Sequence, residues 1–421
     1  MRMDKNSNYK QCVYIFCHYS QEPPYNTMLR FHNWGKQLVL RGYEVTIIAA
    51  SVVHNTDIDV TEKRGTYETT CDGVSYHYIK TPKYSGNGGG RIKNMLAYCF
   101  GISKFAKCHS KPDIIISSDA YVFPFVKHSY KSVPIIVDIT DLWPISIIQY
   151  TGMSEYHPFI QALYEVEKIA YIKCDALIFS MEGGIDYVHE TRYRKRVDDS
   201  KIFHINMGCD MEERDRNEEL FAEKLPWNLD HFNIVYCGSI RQANQVKEIC
   251  DAAEVLSARG YKDIDFQIYG NGDELASLKQ YVKEKKLNNI TFYGRIEKAK
   301  IPYILSKAKI NVLTYKKVDL MRFGGSQSKL FDYLASGRPI LSNADWGYNL
   351  ITRYNAGIVT KNQSPEAFAD AVEELYKYGD IKLDEMGKRA REAAELYDQS
   401  ILVDKLCQVF DFCQKQNEDR K

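Results

Sequence analysis

Short apolar runs alternate with segments of helical periodicity along the first half of the chain. The runs Gln11–His18 and Tyr43–Ala50 have the length and composition of buried strands, and Met28–Leu40 between them places apolar side chains at near-helical spacing. Asp113–Ser118 and Pro134–Ile139 repeat the apolar pattern further along the chain. Strands that alternate with helices predict an α/β fold built on a parallel sheet.

The same alternation begins again in the second half. Its predicted strands are Asn233–Cys237, Ile264–Tyr269, Ile290–Tyr293 and Ile310–Leu313. The charged segment Met211–Glu223 lies between the halves and has the composition of an exposed connection. We therefore predict an N-terminal domain at residues 1–210 and a C-terminal domain at 211–398. A helix at 399–421 would then pack back towards the N-terminal domain.

Composition narrows the class of protein. Of 421 residues, 44% are hydrophobic and 26% are charged, as in ordinary soluble globular proteins. Lys and Arg number 56 against 55 Asp and Glu, so the net charge of +1 gives no field that would attract nucleic acid. The 11 cysteines form no C-x-x-C pair, which is typical of reduced thiols. Met1–Lys10 is polar and no apolar stretch is long enough to span a bilayer, so we expect a cytoplasmic protein.

Residues 80–111 carry a local excess of positive charge. No acidic residue lies between Asp72 and Asp113, but seven basic ones do: Lys80, Lys83, Arg91, Lys93, Lys104, Lys107 and Lys111. The middle of this stretch has helical periodicity and places apolar side chains on one face: Ile92, Met95, Leu96, Cys99, Phe100 and Ile102. Such a helix either rests on an anionic membrane surface or packs its apolar face on the sheet.

Gly324–Pro339 has the most specific pattern in the chain, GGSQSKLFDYLASGRP. A glycine pair opens a predicted helix, and a later glycine ends it. Free backbone amides of residues 325–328, at the positive end of the helix dipole, would face a phosphate, and Lys329 adds a full charge. Asp332 lies further along the same helix, where a carboxylate can accept hydrogen bonds from two ribose hydroxyls. The pattern fits a diphosphate site, and it also fits an ordinary capped helix with a surface Lys and Asp.

Glycine turns follow three of the predicted strands in the second half. The first strand leads into a turn with Gly238, Ser239 and Arg241. The next two strands lead into Gly270–Glu274 and Gly294–Glu297. Ligands of open parallel sheets bind at the carboxyl ends of the strands, so these turns would lie at one ligand-binding edge. Each turn alone is also explained by simple chain reversal.

These segments together resemble a known family. The motifs that carry the resemblance in the second half are YCGSIRQAN, IYGNGDE, FYGRIEKAKIP and above all SKLFDYLASGRPIL. In the first half they are VDITDLWP and, at residues 206–210, NMGCD. Over nearly its whole length the chain resembles the retaining glycosyltransferases of family 4, in the branch that builds bacterial surface polysaccharides. The resemblance implies the GT-B fold, in which two facing Rossmann-like domains with parallel sheets enclose a deep interdomain cleft.

The resemblance also implies roles for individual residues. Arg241 and Lys329 would neutralise the diphosphate of a nucleotide-sugar donor, and Asp332 would hold its ribose. Arg295 and Ile296, in the loop after the third strand, would frame the base. The remaining donor contacts would come from the first glycine turn and the start of the helix: Gly238, Ser239, Gly325, Ser326, Gln327 and Ser328. The N-terminal domain would bind the acceptor.

The implied reaction is retaining transfer of a hexosyl or N-acetylhexosaminyl group from a nucleotide diphosphate-sugar to a saccharide or lipid-linked saccharide. The frequency of uridine donors in the family favours a UDP-sugar. With Arg and Lys beside the diphosphate, the transfer needs no divalent metal and no further cofactor. Asp57 and Asp59 have the D-x-D spacing of metal-binding pairs, but they lie in a polar stretch typical of the surface. If residues 80–111 bind lipid, the enzyme is peripheral on the inner face of the plasma membrane.

Asp141 is the candidate for contact with the acceptor or with the transferred sugar. It follows the predicted strand Pro134–Ile139 and precedes Trp143, whose ring could pack on a sugar. Asp138, at the end of the same strand, would face the cleft with it. The alternative for Asp141 is that it caps the turn that follows.

Two other functions fit the same residues. A GT-B sugar-nucleotide epimerase would convert the donor without an acceptor and would need an acid and a base around the sugar. A nucleotide-sugar binding protein without catalysis is favoured by two departures from the family pattern. Gly324 stands where the family often has Glu, and Thr140 stands where it usually has His or Arg. Tight donor binding with neither transfer nor hydrolysis would identify the binding protein.

Overall fold

A computed structural model describes residues 10–26, 29–54, 56–86 and 88–419. These residues divide into two compact units. The first contains the residues up to Asn206 and those from Gln399 onward, and the second is Met207–Asp398. Residues 1–9 of the polar chain start and Met28, at the start of a predicted helix, lie outside the described residues.

Eight strands form the sheet of the first unit within the described residues. They are β1 (Cys12–Phe16), β2 (Glu44–Ala50), β3 (Glu68–Cys71), β4 (Val74–Ile79), β5 (Ile114–Ser118), β6 (Ile135–Ile139), β7 (Ala176–Phe179) and β8 (Ile202–His204). The strand order is β3-β4-β2-β1-β5-β6-β7-β8, and every neighbouring pair is parallel except β3 with β4. Strands β5 and β6 are buried along their whole length, as in parallel sheets covered on both faces. The predictions for β1, β2, β5 and β6 are confirmed.

Helices connect these strands and cover the sheet. They are α1 (Arg30–Leu40), α2 (Val60–Arg64), α3 (Gly89–Cys108), α4 (Phe123–Ser129), α5 (Ile145–Thr151), α6 (Pro158–Lys173) and α7 (Gly184–Glu190). Asp59 is the N-cap residue of helix α2, and its predicted exposure is wrong. Asp59 was expected at the surface, but it is buried, accepts from the backbone amides of Thr61 and Glu62, and lies 2.8 Å from Lys80 Nζ.

Helix α3 combines both interpretations of its apolar face. Tyr98 and Ile102 are buried against the rest of the first unit. Ile92, Leu96 and Phe100 follow one another at four-residue spacing and are 42%, 47% and 65% exposed. One row of apolar side chains therefore packs inward, and a second row stays in contact with solvent.

Two of the seven basic residues at 80–111 form ion pairs with carboxylates, which leaves a smaller excess of positive charge. Lys83 Nζ lies 2.7 Å from Glu62 Oε2, and Lys80 Nζ lies 3.2 Å from Glu62 Oε1 as well as contacting Asp59. The remaining lysines of this stretch are exposed: Lys93, Lys104, Lys107 and Lys111. The exposed lysines of this stretch therefore lie on α3 and just beyond its C-terminal end.

The second unit has a six-stranded sheet within the described residues. Its strands are β9 (Phe232–Cys237), β10 (Ile264–Tyr269), β11 (Ile290–Gly294), β12 (Ile310–Leu313), β13 (Ile340–Ser342) and β14 (Gly357–Val359). The order is β11-β10-β9-β12-β13-β14, and all neighbouring strands are parallel. Strands β9 to β12 confirm the four apolar segments that the sequence analysis identified. The central strand β9 is buried at every residue.

The helices of the second unit include the segment expected to be a connection. They are α8 (Met211–Leu220), α9 (Val246–Ala258), α10 (Leu275–Glu284), α11 (Ile301–Ser306), α12 (Ser328–Ala335), α13 (Leu350–Arg353) and α14 (Pro365–Glu395). The interpretation of Met211–Glu223 as an exposed connection is wrong, because α8 occupies most of it. Asp210 caps this helix by accepting from Glu213 N at 2.9 Å, and Arg214 within it is buried. Glu212 and Glu219 of this helix are exposed, whereas Asp215 and Glu218 form ion pairs with Arg214.

The last helix, α15 (Gln399–Asp419), belongs to the first unit. Arg41 Nη2, just after α1, lies 2.6 Å from Asp404 Oδ1, and the rings of Phe203 and Phe412 meet edge to face at 5.2 Å. The chain therefore returns from the second unit to complete the first. No helix in the described ranges has both the length and the apolar character needed to cross a bilayer.

Candidate functional site

The turns that follow β9, β10 and β11 pack on one another through their backbones. Gly238 N donates to Tyr269 O at 2.9 Å, and Gly270 N donates to Gly294 O at 2.8 Å. Gly270 has a φ of 150°, and a Cβ built on it would lie 1.8 Å from Gly238 O. Only glycine allows such an approach of two backbones. Gly270 is thus required for packing, and it does not by itself indicate a ligand.

Tyr333 fixes the position of α12 relative to the end of β9. Its hydroxyl accepts from Cys237 N at 2.8 Å and donates to Cys237 O at 3.0 Å. Both backbone groups of the last residue of β9 are thereby bonded to α12. Lys329, one turn earlier on the helix, lies beside the first glycine turn, because a Cβ built on Gly238 would be 2.9 Å from Lys329 Nζ. The structure therefore brings together two of the predicted donor-site residues.

The ammonium group of Lys329 lies between two tyrosine rings. Its Nζ is 5.0 Å from the ring centroid of Tyr236 and 4.7 Å from that of Tyr315. It donates to Tyr236 Oη at 3.2 Å, and Tyr236 Oη donates to Ser239 O at 2.6 Å. With the Asn244 amide oriented so that both its ends are satisfied, the amide oxygen accepts from Lys329 Nζ at 3.1 Å. Within the described residues, no carboxylate forms an ion pair with this ammonium.

Burial lowers the pKa of Lys329 to about 7, and the nearby Cys237 thiol opposes the shift. The charged form is disfavoured because the ammonium has lost water and has gained only neutral partners. An anion placed beside it would stabilise the charged form. A desolvated cation with no counter-charge is typical of a site that binds an anionic ligand.

The first turn of α12 leaves its backbone amides uncapped by a side chain. Gln327 is the N-cap residue, and its side chain bonds none of the amides that follow. Ser328 begins the helix and is exposed, while Ser326 is half-buried. Gly325 lies against Trp346, since a Cβ built on it would be 2.9 Å from the indole ring. Free amides at the positive end of a helix dipole favour a phosphate group.

Three other predicted donor residues follow the carboxyl ends of β9 and β11. Arg241 follows β9 and is exposed at the start of a 3-10 turn, and Arg295 follows β11 and is also exposed. Ile296 is half-buried. Among the described residues, no hydrogen bond or ion pair joins Arg241 to Lys329. Both predicted diphosphate cations therefore lie near the carboxyl end of β9.

Asp332, the predicted ribose ligand, is half-buried on the side of α12 that faces Cys209. Cys209 Sγ donates to Asp332 Oδ1 at 3.9 Å, a weak hydrogen bond. Burial raises the pKa of Asp332, while the charges of Lys298 and Arg214 and the thiol hydrogen bond act in the opposite direction. Its carboxylate retains the capacity to accept hydroxyl hydrogens. Cys209 belongs to the NMGCD motif, which explains why that motif accompanies this helix.

A second polar cluster lies in the first unit, after strands β5 and β6. Trp143 Nε1 donates to Asp141 Oδ2 at 3.0 Å, and Trp143 N donates to Asp141 O at 2.9 Å. Asp141 thus caps its turn, as one of its two predicted roles requires, and its side chain remains exposed. The Arg91 guanidinium lies 5.5 Å from the Trp143 ring centroid, and Arg91 Nε donates to Tyr19 Oη at 3.1 Å. An exposed carboxylate beside a half-buried guanidinium and a half-buried indole can bind a sugar.

Asp119 is a member of this cluster that the sequence analysis missed. It directly follows β5 and has a φ of 66°, which is a left-handed conformation. Burial raises the pKa of Asp119 to about 7, and the carboxylates of Asp141 and Asp138 add to the effect. Near neutral pH this carboxyl group can therefore hold or release a proton. Its position directly after the predicted strand Asp113–Ser118 was the signal that could have found it.

Asp138 has a structural role, and the expectation that it faces an open site is wrong. Arg30 Nε and Nη2 donate to the two carboxylate oxygens of Asp138 at 3.0 and 2.8 Å, and both side chains are buried. Arg30 also donates to Ile205 O and Asn206 O at 2.8 and 2.7 Å. The pair joins the start of α1 to β6 and to the segment after β8. Both carboxylate oxygens of Asp138 are thereby bonded to Arg30, and the side chain is fully buried.

Comparison with solved structures identifies the fold. Sucrose-phosphate synthase from Thermosynechococcus elongatus has a TM-score of 0.74 at 13% identity, over 96% of this chain and 98% of that chain. HepE from Anabaena in complex with UDP-glucose has a TM-score of 0.68 at 11% identity, over 95% and 99% of the two chains. WaaG, a glycosyltransferase involved in lipopolysaccharide biosynthesis, has a TM-score of 0.64 at 12% identity, over 94% and 99%. The chain has the GT-B fold, as the sequence analysis predicted.

The family comparison concerns the second unit. Residues 231–378 match the family model of glycosyl transferases group 1. No curated protein sequence matches the chain significantly. The matched group 1 domain contains every predicted donor-site residue from Gly238 to Asp332, whereas Asp141 lies outside it.

Several residues of the group 1 domain site were missed by the sequence analysis. Tyr236, Tyr315 and Asn244 surround Lys329, and Tyr333 holds its helix. Tyr236 lies two residues before the glycine turn, and Tyr333 lies one helical turn after Lys329, so their positions were a usable signal. Tyr315 and Asn244 come from other connections, and no local pattern relates them to Lys329.

Proposed function

We propose that this protein transfers a hexosyl or N-acetylhexosaminyl group from a UDP-sugar to a saccharide or lipid-linked saccharide, with retention of configuration, in the synthesis of a bacterial surface polysaccharide. The observation that carries this proposal is Lys329, a desolvated ammonium without a counter-charge beside Gly238 and the uncapped start of α12. HepE, which shares the fold, was solved with UDP and with UDP-glucose, which supports a uridine donor. WaaG, which also shares the fold, is involved in lipopolysaccharide biosynthesis, which supports the surface role.

Each donor-site group would either stabilise the charge that develops during transfer or form a polar contact with the nucleotide. Breaking the bond between the anomeric carbon and the diphosphate leaves negative charge on the phosphate. Lys329 and the amides of α12 would stabilise that charge, and Arg241 would supply a second cation from its exposed turn. Asp332 would accept from the ribose hydroxyls, and Arg295 and Ile296 would frame the base. Because fixed cations match the charge of the leaving group, the proposal assigns no metal to the transfer.

Retention of configuration requires the acceptor to attack the face that the leaving group vacates. We assign the acceptor proton to an oxygen of the departing phosphate, so that the O–H bond breaks as the bond to the anomeric carbon forms. Asp141 is proposed to contact the acceptor or the transferred sugar. Asp119 would hydrogen-bond a hydroxyl group there as donor or acceptor, since its carboxyl group changes protonation near neutral pH.

Nucleotide binding tests the donor site. We expect UDP and UDP-sugars to raise the melting temperature more than GDP or TDP do, because a ligand of the folded state stabilises it. Asp332→Asn should reduce the shift caused by UDP, since the amide replaces one ribose acceptor by a donor. Asp230→Asn is the matched control, because Asp230 is an exposed carboxylate of the same unit. Equal shifts for both variants would contradict the ribose role of Asp332.

Three further outcomes of this experiment decide between functions. No shift with any nucleotide would contradict the donor site as a whole. A shift with UDP-sugars but neither transfer nor slow hydrolysis would favour a nucleotide-sugar binding protein. Conversion of the donor sugar to its epimer without any acceptor would identify an epimerase.

We also propose that α3 rests on the anionic inner leaflet of the plasma membrane. Its solvent-facing row of Ile92, Leu96 and Phe100 continues at four- and seven-residue steps into Lys104 and Lys107. Apolar side chains that enter the headgroup region beside lysines that meet anionic lipid are typical of helices that lie on membranes. Phe100, at 65% exposure, would insert furthest.

Vesicle sedimentation tests this contact. Replacing Lys104 and Lys107 with Glu should weaken binding to phosphatidylglycerol vesicles more than tenfold, since each basic residue contributes about 1 kcal/mol near such a surface. The matched control is Lys279→Glu with Lys283→Glu, an exposed lysine pair on α10 with the same change in net charge. Phe100→Ala should weaken binding even at high salt, where charge is screened. Equal binding of both double variants would contradict a membrane contact through α3.

A further inference from the structure

The hairpin at the edge of the first sheet places a carboxylate and an imidazole side by side. Strands β3 and β4 are antiparallel, and Glu68 is the register partner of His77. Directly opposite residues of an antiparallel pair project their side chains from the same face. Glu68 Oε1 accordingly lies 3.1 Å from His77 Nδ1.

The residue after α3 adds a second imidazole to the same place. His109 Nε2 lies 3.8 Å from Glu68 Oε1. His109 Nδ1 bonds to Phe105 O at 2.9 Å, and its ring stacks on the Phe105 ring at a centroid distance of 4.0 Å. A carbonyl acceptor fixes the tautomer with hydrogen on Nδ1, which leaves a free lone pair on Nε2, the nitrogen near Glu68. Such a bond to the other ring nitrogen is the usual orienting contact of a metal-binding histidine.

The spacing of these three groups fits one metal ion. The ligand atoms of Glu68, His77 and His109 all lie within 4.8 Å of one another. Ligands about 2.0–2.2 Å from a tetrahedral zinc ion lie about 3.4 Å apart, a value between the two distances to Glu68. The side chains are 67%, 20% and 30% exposed in that order, so they have freedom to adjust.

The surroundings leave room for further coordination. The three side chains border a cavity of about 430 Å³ that Tyr14, Thr46 and other polar and aromatic residues also line. Water or a small ligand in this cavity could complete the coordination sphere. Two imidazoles and one carboxylate are a ligand set of zinc sites, and imidazole also suits copper, nickel and iron.

We propose that Glu68, His77 and His109 bind a divalent transition-metal ion, with Zn²⁺ as the reference ion. The ion joins the edge strand β3, the neighbouring strand β4 and the end of α3. Among the described strands β3 pairs only with β4, so these bonds hold a strand that is otherwise attached on one side. The site lies within the first unit, separate from the donor residues, and it does not depend on the proposed transfer of sugar.

Calorimetric titration of the tag-free chain with Zn²⁺ tests the site. We expect the strongest site to bind one Zn²⁺ per chain. Glu68→Gln and His109→Ala should each weaken it by at least tenfold, since even residues that only orient a ligand contribute about 10–100-fold. Co²⁺ should give a visible absorption band in the wild type that Glu68→Gln lacks. Zn²⁺ should also raise the melting temperature of the wild type more than that of either variant.

Two control variants distinguish this site from other groups that could bind Zn²⁺. His189→Ala removes an exposed histidine that lies 2.8 Å from a carboxylate, Asp199, and it should leave Zn²⁺ binding unchanged. Cys71→Ser tests the neighbouring group of His32, Cys71 and Asp72, which also comes close enough to hold an ion. Unaltered affinity in Glu68→Gln and His109→Ala, or a loss confined to Cys71→Ser, would overturn the proposal. So would the absence of Zn²⁺ binding by the wild type.

Discussion

Lys329→Ala is expected to lower kcat for sugar transfer by about 10²–10³-fold, the usual loss when one group that stabilises a developing negative charge is removed. The side chain lies beside Gly238, and among the described residues its ammonium has the neutral partners Tyr236, Tyr315 and Asn244. Without this ammonium, the negative charge on the departing diphosphate loses one stabilising cation in a partly desolvated site. The measurement is steady-state transfer to acceptor, or hydrolysis of the UDP-sugar when acceptor is absent.

A surface lysine provides the matched control. Lys388→Ala removes an ammonium that is 78% exposed on α14 and faces only Glu392 at 3.9 Å. This variant should retain wild-type turnover. Near-normal turnover in Lys329→Ala as well would remove the basis of the proposed diphosphate site.

Lys329 also implies a pH dependence of donor affinity. With a pKa of about 7 in the free protein, its ammonium loses its proton as the pH rises above neutrality. A bound diphosphate stabilises the charged form, so binding above that pKa takes up a proton and the affinity falls by up to about tenfold per pH unit. Below it, the lysine is already charged and contributes no further change. Calorimetry with UDP should show this decline in the wild type and not in Lys329→Arg, whose guanidinium stays charged.

Asp138→Ala is expected to destabilise the first unit by about 3–5 kcal/mol, because it leaves a buried guanidinium without its carboxylate. Arg30 would still donate to the carbonyl oxygens of Ile205 and Asn206, but these neutral acceptors do not replace the carboxylate charge. Urea unfolding gives the change in midpoint. Hydrogen exchange of the β6 amides, measured by mass spectrometry, shows whether the loss is local to this pair.

The control is another Arg–Asp pair of the same unit. Asp404→Ala removes the partner of Arg41, whose side chain is 26% exposed against 63% for Asp404, and it should cost about 0–1 kcal/mol. The double variant Arg30→Met with Asp138→Leu should regain part of the lost stability, since no unpaired charge remains. A loss in Asp138→Ala no larger than in Asp404→Ala would show that the buried pair is dispensable.

The sequence predicted most of the parallel sheet because its strands are buried on both faces. Such strands must be apolar at most positions, and β1, β5, β6 and β9 each have no more than two polar residues. Strand β3, with the residues ETTC, was not predicted, since an edge strand with one neighbour needs no apolar run. Helix α8 was missed because its charged surface resembles a linker, although Arg214 within it is buried.

The candidate site could be predicted only as far as its chemistry is local. Lys329 and Asp332 lie on one helix turn, so their common position follows from the sequence. Asp138 and Asp141 are three residues apart and could not be told apart. Asp138 pairs with Arg30, which is 108 residues away in the sequence. No local pattern around Asp138 or Arg30 predicts such a contact. The tyrosines beside Lys329 likewise depend on β9 and β12 being neighbours in the sheet, which is a long-range pairing.

The backbone contacts among Gly238, Gly270 and Gly294 limit how the donor pocket could be redesigned or could diverge. Three loops that touch through main-chain atoms cannot change length or course one at a time, whatever their side chains do. Exchanging a single loop with that of another enzyme should misplace the other two. A change of nucleotide preference in this scaffold would therefore be sought by transplanting all three connections as a block, or by altering only the side chains that they display.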